Sequence, residues 1–141
     1  MAGNKLDLDF SAISRDLKSF RFPEADIVVG IATGGTYPAI MIAHQLGLPC
    51  RFIHLNFRNP DNTPAHEEPV ILSGDIRDIP AGSRILLVDE VSVSGKTIGK
   101  AIELLRGFQV KTFVLKGKGD FVLYPDIKTC VNWPWKSKIE N

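Results

Sequence analysis

The sequence predicts an α/β domain built on one mostly parallel sheet of about five strands, with helices on both faces. Three observations lead there. Two segments run strand, glycine-bearing loop, helix: Asp26–Ala32 passes through Thr33-Gly34-Gly35-Thr36 into an apolar stretch ending at Leu46, and Ile85–Val88 passes through Asp89–Thr97 into Ile98–Leu105. Both strands are continuous apolar runs, the pattern of strands buried on both faces rather than one. The length, 141 residues, suits a single domain spanning 1–141.

The elements follow in order. Phe10, Ile13, Leu17 and Phe20 recur at helical spacing between Ser11, Arg15, Asp16 and Lys18, so residues 9–20 read as an amphipathic helix that Pro23 ends. After the first buried strand, Pro38 fits the first turn of a helix carrying Ile40, Met41, Ala43 and Leu46, and Gly47 stops it. Cys50–Phe57 alternates as a strand. Residues 58–69 are polar and proline-rich and read as a mobile loop or a solvated surface connection. Val70–Leu72 is a short strand, and Ile79-Pro80-Ala81-Gly82 turns into the central strand. Ile98, Ala101, Ile102, Leu104 and Leu105 give the next helix one apolar face, Gly107 closes it, and Val110–Leu115 is a further strand ending at Lys116.

Composition excludes several classes. A net charge of +1 provides no field to recruit nucleic acid or an anionic membrane. Cys50 and Cys130 lie far apart without metal-ligand spacing. The sequence shows neither a signal peptide nor an apolar run long enough to span a bilayer, so a cytoplasmic protein is expected.

The chemistry concentrates at Asp89–Thr97. Two carboxylates sit at a strand's carboxyl end, followed by Val91-Ser92-Val93-Ser94-Gly95-Lys96-Thr97. The N–H groups of Ser94, Gly95, Lys96 and Thr97, at the start of a helix, make an anion site, and Gly95 allows close backbone approach. Ser92, Ser94 and Thr97 add hydroxyls. Asp89 and Glu90 would repel a phosphate but accept hydrogen bonds from hydroxyls. A ligand with a phosphate at one end and a polyol at the other, a ribose 5-phosphate, fits both demands. Gly95-Lys96-Thr97 resembles the end of a Walker A loop, but Glu90 stands where that motif needs its first glycine.

This stretch, with its strand, acidic pair and Ser-Gly-Lys-Thr close, resembles the phosphoribosyl pyrophosphate (PRPP) motif of type I phosphoribosyltransferases, nearest to the bacterial xanthine–guanine and hypoxanthine (six-oxopurine) branch. The resemblance implies the fold of that family, with a C-terminal hood at about 117–137, a flexible loop at about 58–69 that closes over PRPP with Arg58 and His66 as contributors, and a homodimer or higher homo-oligomer. It implies transfer of the 5-phosphoribosyl group of PRPP to a nucleobase, a purine such as hypoxanthine, guanine or xanthine, with release of pyrophosphate. Asp89 and Glu90 would hold the ribose hydroxyls and, through water, Mg²⁺. Ser92, Val93, Ser94, Gly95, Lys96 and Thr97 would bind the 5-phosphate. Thr33, Gly34, Gly35 and Thr36 would bind pyrophosphate, with a non-proline cis peptide at Ala32–Thr33 or Thr33–Gly34. Lys116, which follows Gly95 by 21 positions, would contact the purine's 6-oxo group. Val131 would read the base edge, and Trp133 would stack on it.

Three positions depart from that branch. Thr33 replaces an arginine that grips pyrophosphate, Val93 replaces an aspartate that acts as general base, and Cys130 replaces the stacking aromatic. These departures keep a second reading open: a PRPP- or nucleotide-binding regulatory protein with a degenerate base site.

Overall fold

A computed structural model describes residues 5–56, 70–73 and 76–136. The elements are β1 (Leu6–Asp7), α1 (Phe10–Ser19), β2 (Ile27–Ala32), α2 (Thr36–Leu46), β3 (Cys50–Asn56), β4 (Val70–Ser73), β5 (Arg84–Ser92), α3 (Lys96–Leu104), β6 (Gln109–Gly117), β7 (Phe121–Val122) and β8 (Val131–Asn132). Asp9 caps α1 by accepting the Ala12 N–H at 2.8 Å. Gly47 ends α2 in the left-handed conformation, φ 67°.

The main sheet has six strands in the order β4-β3-β2-β5-β6-β7. The pairs β2·β3, β2·β5, β5·β6 and β6·β7 are parallel, and β3·β4 is antiparallel. The sheet therefore exceeds the five expected strands by one, because the two-residue β7 is too short to show a period. A separate parallel pair joins β1 to β8, Leu6 opposite Val131 and Asp7 opposite Asn132. The chain runs outward from β2 to β3 and β4, then returns to β5 on the other side of β2. That reversal leaves a crevice beyond the carboxyl ends of β2 and β5, the place where open α/β sheets bind ligands.

Alternation along each strand builds two cores. Leu86 and Val88 of β5 pack with Ile13 and Leu17 of α1, with Ala39, Ile42 and Ala43 of α2 and with Trp133. Ile85 and Leu87 face the other way, against Ile98 and Ala101 of α3. Phe10, part of the amphipathic pattern of the first helix, stays 45% exposed and lies against Trp135 with ring centroids 5.8 Å apart. Among the described residues no helix is long and apolar enough to cross a membrane.

Candidate active site

The crevice between β2 and β5 is floored by glycine. A Cβ added to Gly35 would lie 2.6 Å from the carbonyl oxygens of both Ile31 and Val88, so only glycine fits between the two strands. The peptide joining Ala32 to Thr33 is cis, one of the two bonds at which the family resemblance led us to expect it. The Gly35 N–H donates to Ile31 O at 2.8 Å, and the Thr36 N–H donates to Thr33 O at 3.1 Å. Two of the four amides expected to face pyrophosphate thus close the turn itself. Thr33 is exposed at its tip.

Across the crevice, β5 ends in the acidic pair. Successive residues of a strand point to opposite faces, so Asp89 continues the α3 side and Glu90 the side of α1, α2 and the hood. Burial pushes the Asp89 carboxyl up to about 7; the Glu90 N–H that it accepts and the Lys136 ammonium pull it down, while the Glu90 charge adds to the rise. The only described partner of the Asp89 side chain is that N–H, at 2.8 Å, which leaves acceptor capacity for a hydroxyl or a hydrated cation.

Glu90 behaves differently. It is only 5% exposed. Its Oε2 accepts the Trp135 indole N–H at 2.6 Å, and its Oε1 accepts from Lys136 Nζ at 2.9 Å. Hood side chains thus engage both oxygens of the Glu90 carboxylate that is expected to hold ribose hydroxyls or metal-bound water. Sequence reasoning missed Trp135 and Lys136 as partners of the motif. No local signal reveals them, because they lie 45 residues and more along the chain.

The loop expected to bind phosphate follows. Ser92 is buried, its carbonyl accepts the Lys118 N–H at 2.7 Å, and a Cβ on Gly117 would overlap that same carbonyl. The end of β6 thus pins the start of the loop. Gly95 takes φ 82° with nothing within 4 Å of an added Cβ, and α3 begins at Lys96. Ser94 Oγ accepts the Lys96 N–H at 3.2 Å, which occupies one expected phosphate donor. Thr97 is partly exposed in the first turn of α3, and Val93 projects into solvent, 79% exposed.

The expected base-site residues are divided. Lys116 lies half-buried at the end of β6 beside Val91 of β5. Val131 is half-buried in β8. Trp133 is 4% exposed, and its ring stacks on Trp135 at 5.6 Å between centroids and 4° between planes. The expectation that Trp133 offers a stacking face to a base is corrected on this ground: the ring is part of the core. Arg58 and His66 lie outside the described residues. No group of three or more His, Cys, Asp or Glu side chains among the described residues could hold a metal. Of the two carboxylates expected to serve Mg²⁺, Asp89 alone fits.

Comparisons with known proteins bear on the family and the fold. Among solved structures, the chain is similar to the purine phosphoribosyltransferase of Pyrococcus horikoshii, with a TM-score of 0.74 and 27% identity over 97% of this chain and 95% of that one. Among curated proteins, it is 26% identical over 102 residues to the orotate phosphoribosyltransferase of Sulfurisphaera tokodaii, covering 72% of this chain and 47% of that protein. It is also 30% identical over 80 residues to the transcriptional regulator GfcR of Methanocella arvoryzae, covering 57% and 39%. The chain spans less than half the length of these two curated relatives. Residues 11–138 match the phosphoribosyl transferase domain, and the chain belongs to that family.

Proposed function

We propose that this chain transfers the 5-phosphoribosyl group of PRPP to a purine base and releases pyrophosphate. The observation that carries the proposal is the meeting of two loops at the β2/β5 crevice: the Thr33-Gly34-Gly35 turn, and the Asp89 carboxylate leading into Ser92–Thr97 at the start of α3. The α3 N-terminus and the Ser92, Ser94 and Thr97 hydroxyls take the 5-phosphate. Asp89 accepts from the ribose hydroxyls, and the Thr33–Gly34 backbone faces the diphosphate.

In the reaction the bond from C1 of the ribose to the pyrophosphate oxygen breaks, and the oxygen keeps the electron pair. A ring nitrogen of the base forms the new bond to C1, and the base loses its proton to solvent, since Val93 accepts none. Asp89 would hold Mg²⁺ through water, and the ion would supply charge neutralisation at the diphosphate. The choice of a purine rests on the likeness to the Pyrococcus horikoshii purine enzyme, which extends along nearly the whole of both chains, whereas the orotate relative is matched over less than half its length. Lys116 and Val131 would contact that base.

A second reading has an observation of its own. Val93 is a solvent-facing apolar residue at the position where a general base is expected, and GfcR regulators are among the relatives. A protein that binds PRPP or a nucleotide without efficient transfer accommodates both facts. Pyrophosphate release from PRPP and Mg²⁺ with hypoxanthine, guanine, xanthine, adenine, uracil and orotate separates the two. Turnover with a purine, reduced at least about a hundredfold in Asp89→Asn, supports the transferase. PRPP binding without product from any base supports the regulator.

A further inference from the structure

The carboxylate of Glu90 is buried at the heart of the site yet has no place in the transfer described above. Both of its oxygens are held by the C-terminal segment, by Trp135 and Lys136. It also packs on the glycine loop: a Cβ added to Gly34 would lie 3.3 Å from Glu90 Cβ and 3.4 Å from Oε2. The Trp135 ring extends the same connection, stacking on Tyr37 at 5.8 Å and 9°. Tyr37 is the second residue of α2, the helix that the glycine loop opens. On its far side the hood is fixed by the β1·β8 ladder and by the Asn132 amide donating to Asp7 at 2.7 Å. Glu90 is thus one of several anchors of the hood, alongside the Tyr124 hydroxyl that donates to Asp16 and the core-packed Trp133, and the one that also packs on the glycine loop.

We propose that Glu90 is a positioning residue: it latches the hood, through Trp135 and Lys136, onto the Gly34 loop, so that one buried carboxylate sets both the wall beside the base and the cradle for the diphosphate. The inference rests on the phosphoribosyltransferase reading of the site. It divides the acidic pair, with Asp89 facing ligand and Glu90 facing protein. Its physical basis is the cost of separation. A buried carboxylate that loses a donor is left incompletely solvated, so the hood and the loop hold position together. Occupancy of the loop by a diphosphate then steadies the hood, and a steadied hood favours the base.

Two substitutions test the latch with little change of shape. Glu90→Gln keeps an acceptor for the indole N–H and removes the charge that Lys136 meets. Trp135→Phe keeps an aromatic ring and removes the N–H. A third, Lys136→Met, changes a side chain that is more than half exposed and leaves the fold unthreatened. Each full-length variant is titrated with PRPP by calorimetry and assayed for pyrophosphate release at varied purine. Hydrogen exchange of the Val131, Asn132 and Trp133 amides is followed with and without inorganic pyrophosphate.

The expected result is a rise of about tenfold in KM for the base, with smaller changes in kcat and in PRPP affinity. Pyrophosphate should slow hood exchange in the unaltered protein and fail to do so in the variants. The proposal is overturned if Glu90→Gln weakens PRPP binding as much as Asp89→Asn while hood exchange still responds to pyrophosphate, since Glu90 would then be a sugar ligand. It is equally overturned if all three variants leave base KM and exchange unchanged. Should the unaltered protein bind no PRPP, the transferase reading falls. Ligand-free exchange then decides the latch: faster hood exchange in Glu90→Gln supports it, and equal exchange refutes it.

Discussion

The two strand–loop–helix units use glycine for opposite reasons. In the first, Gly35 is wedged between β2 and β5, with backbone oxygens on two sides at 2.6 Å from any added Cβ. In the second, Gly95 has open space around it and a left-handed φ of 82°. The first glycine makes the crevice by letting two strands and a turn meet. The second shapes a loop that stays accessible to a ligand. A glycine-rich loop is therefore not one kind of site: Gly35 serves the fold and Gly95 serves access.

The contrast can be broken most sharply at Gly35. Gly35→Ala must displace sheet backbone rather than a flexible side chain, and a cost of roughly 3 kcal/mol or loss of folding is expected in chemical denaturation. A stable, fully active Gly35→Ala protein would mean that the strands are less tightly joined than described.

Charge is the second contrast. The residues Thr33–Thr36 carry no titrating side chain, whereas Asp89 of the second unit is raised by burial from 3.8 to about 7. A folded carboxyl with a raised pKa binds a proton that the unfolded chain has already released. Stability of the ligand-free protein should consequently fall as pH rises from about 4 to about 7, by up to roughly 1.4 kcal/mol per unit. Asp89→Asn should flatten that slope and raise stability at pH 7.5 while it removes transfer activity. Denaturation midpoints across the pH range read this directly, and an unchanged slope in the variant would assign the pH dependence to another group.

The smallest effect belongs to Gly95→Ala. An alanine held at positive φ costs about 1 kcal/mol and meets no atom, so the melting temperature should fall slightly. Binding of ribose 5-phosphate should weaken more than stability does, because the loop amides relax from their aim. Equal losses in both would show that Gly95, like Gly35, mainly serves the fold.

Much of this was legible in the sequence. The continuous apolar runs of β2 and β5 marked central strands, and the loops after them marked the crevice, because a parallel sheet leaves its strands few other places to carry ligands. Gly47 and Pro38 fell where helix-end chemistry puts them. The short strands β1, β7 and β8 were not legible, since two residues establish no period. The direction of β4 depends on pairing with β3, not on its own residues. At Glu90, period-2 alternation already separates neighbouring acids onto opposite faces, but the identity of its partners depends on where a distant tail folds back. Trp133 was misread for a related reason: an aromatic near a site is chemically suited both to stack on a ligand and to fill a core, and only burial decides.

The central claim is that the glycine turn after β2 and the acidic loop after β5 hold the two ends of one PRPP molecule. Calorimetric titration with PRPP and Mg²⁺, repeated in the presence of pyrophosphate and of ribose 5-phosphate, tests it most directly. Single-site binding of PRPP is expected, weakened by either competitor and strongly reduced by Asp89→Asn. Absence of PRPP binding, or binding indifferent to both competitors and to Asp89→Asn, would contradict the assignment of the crevice.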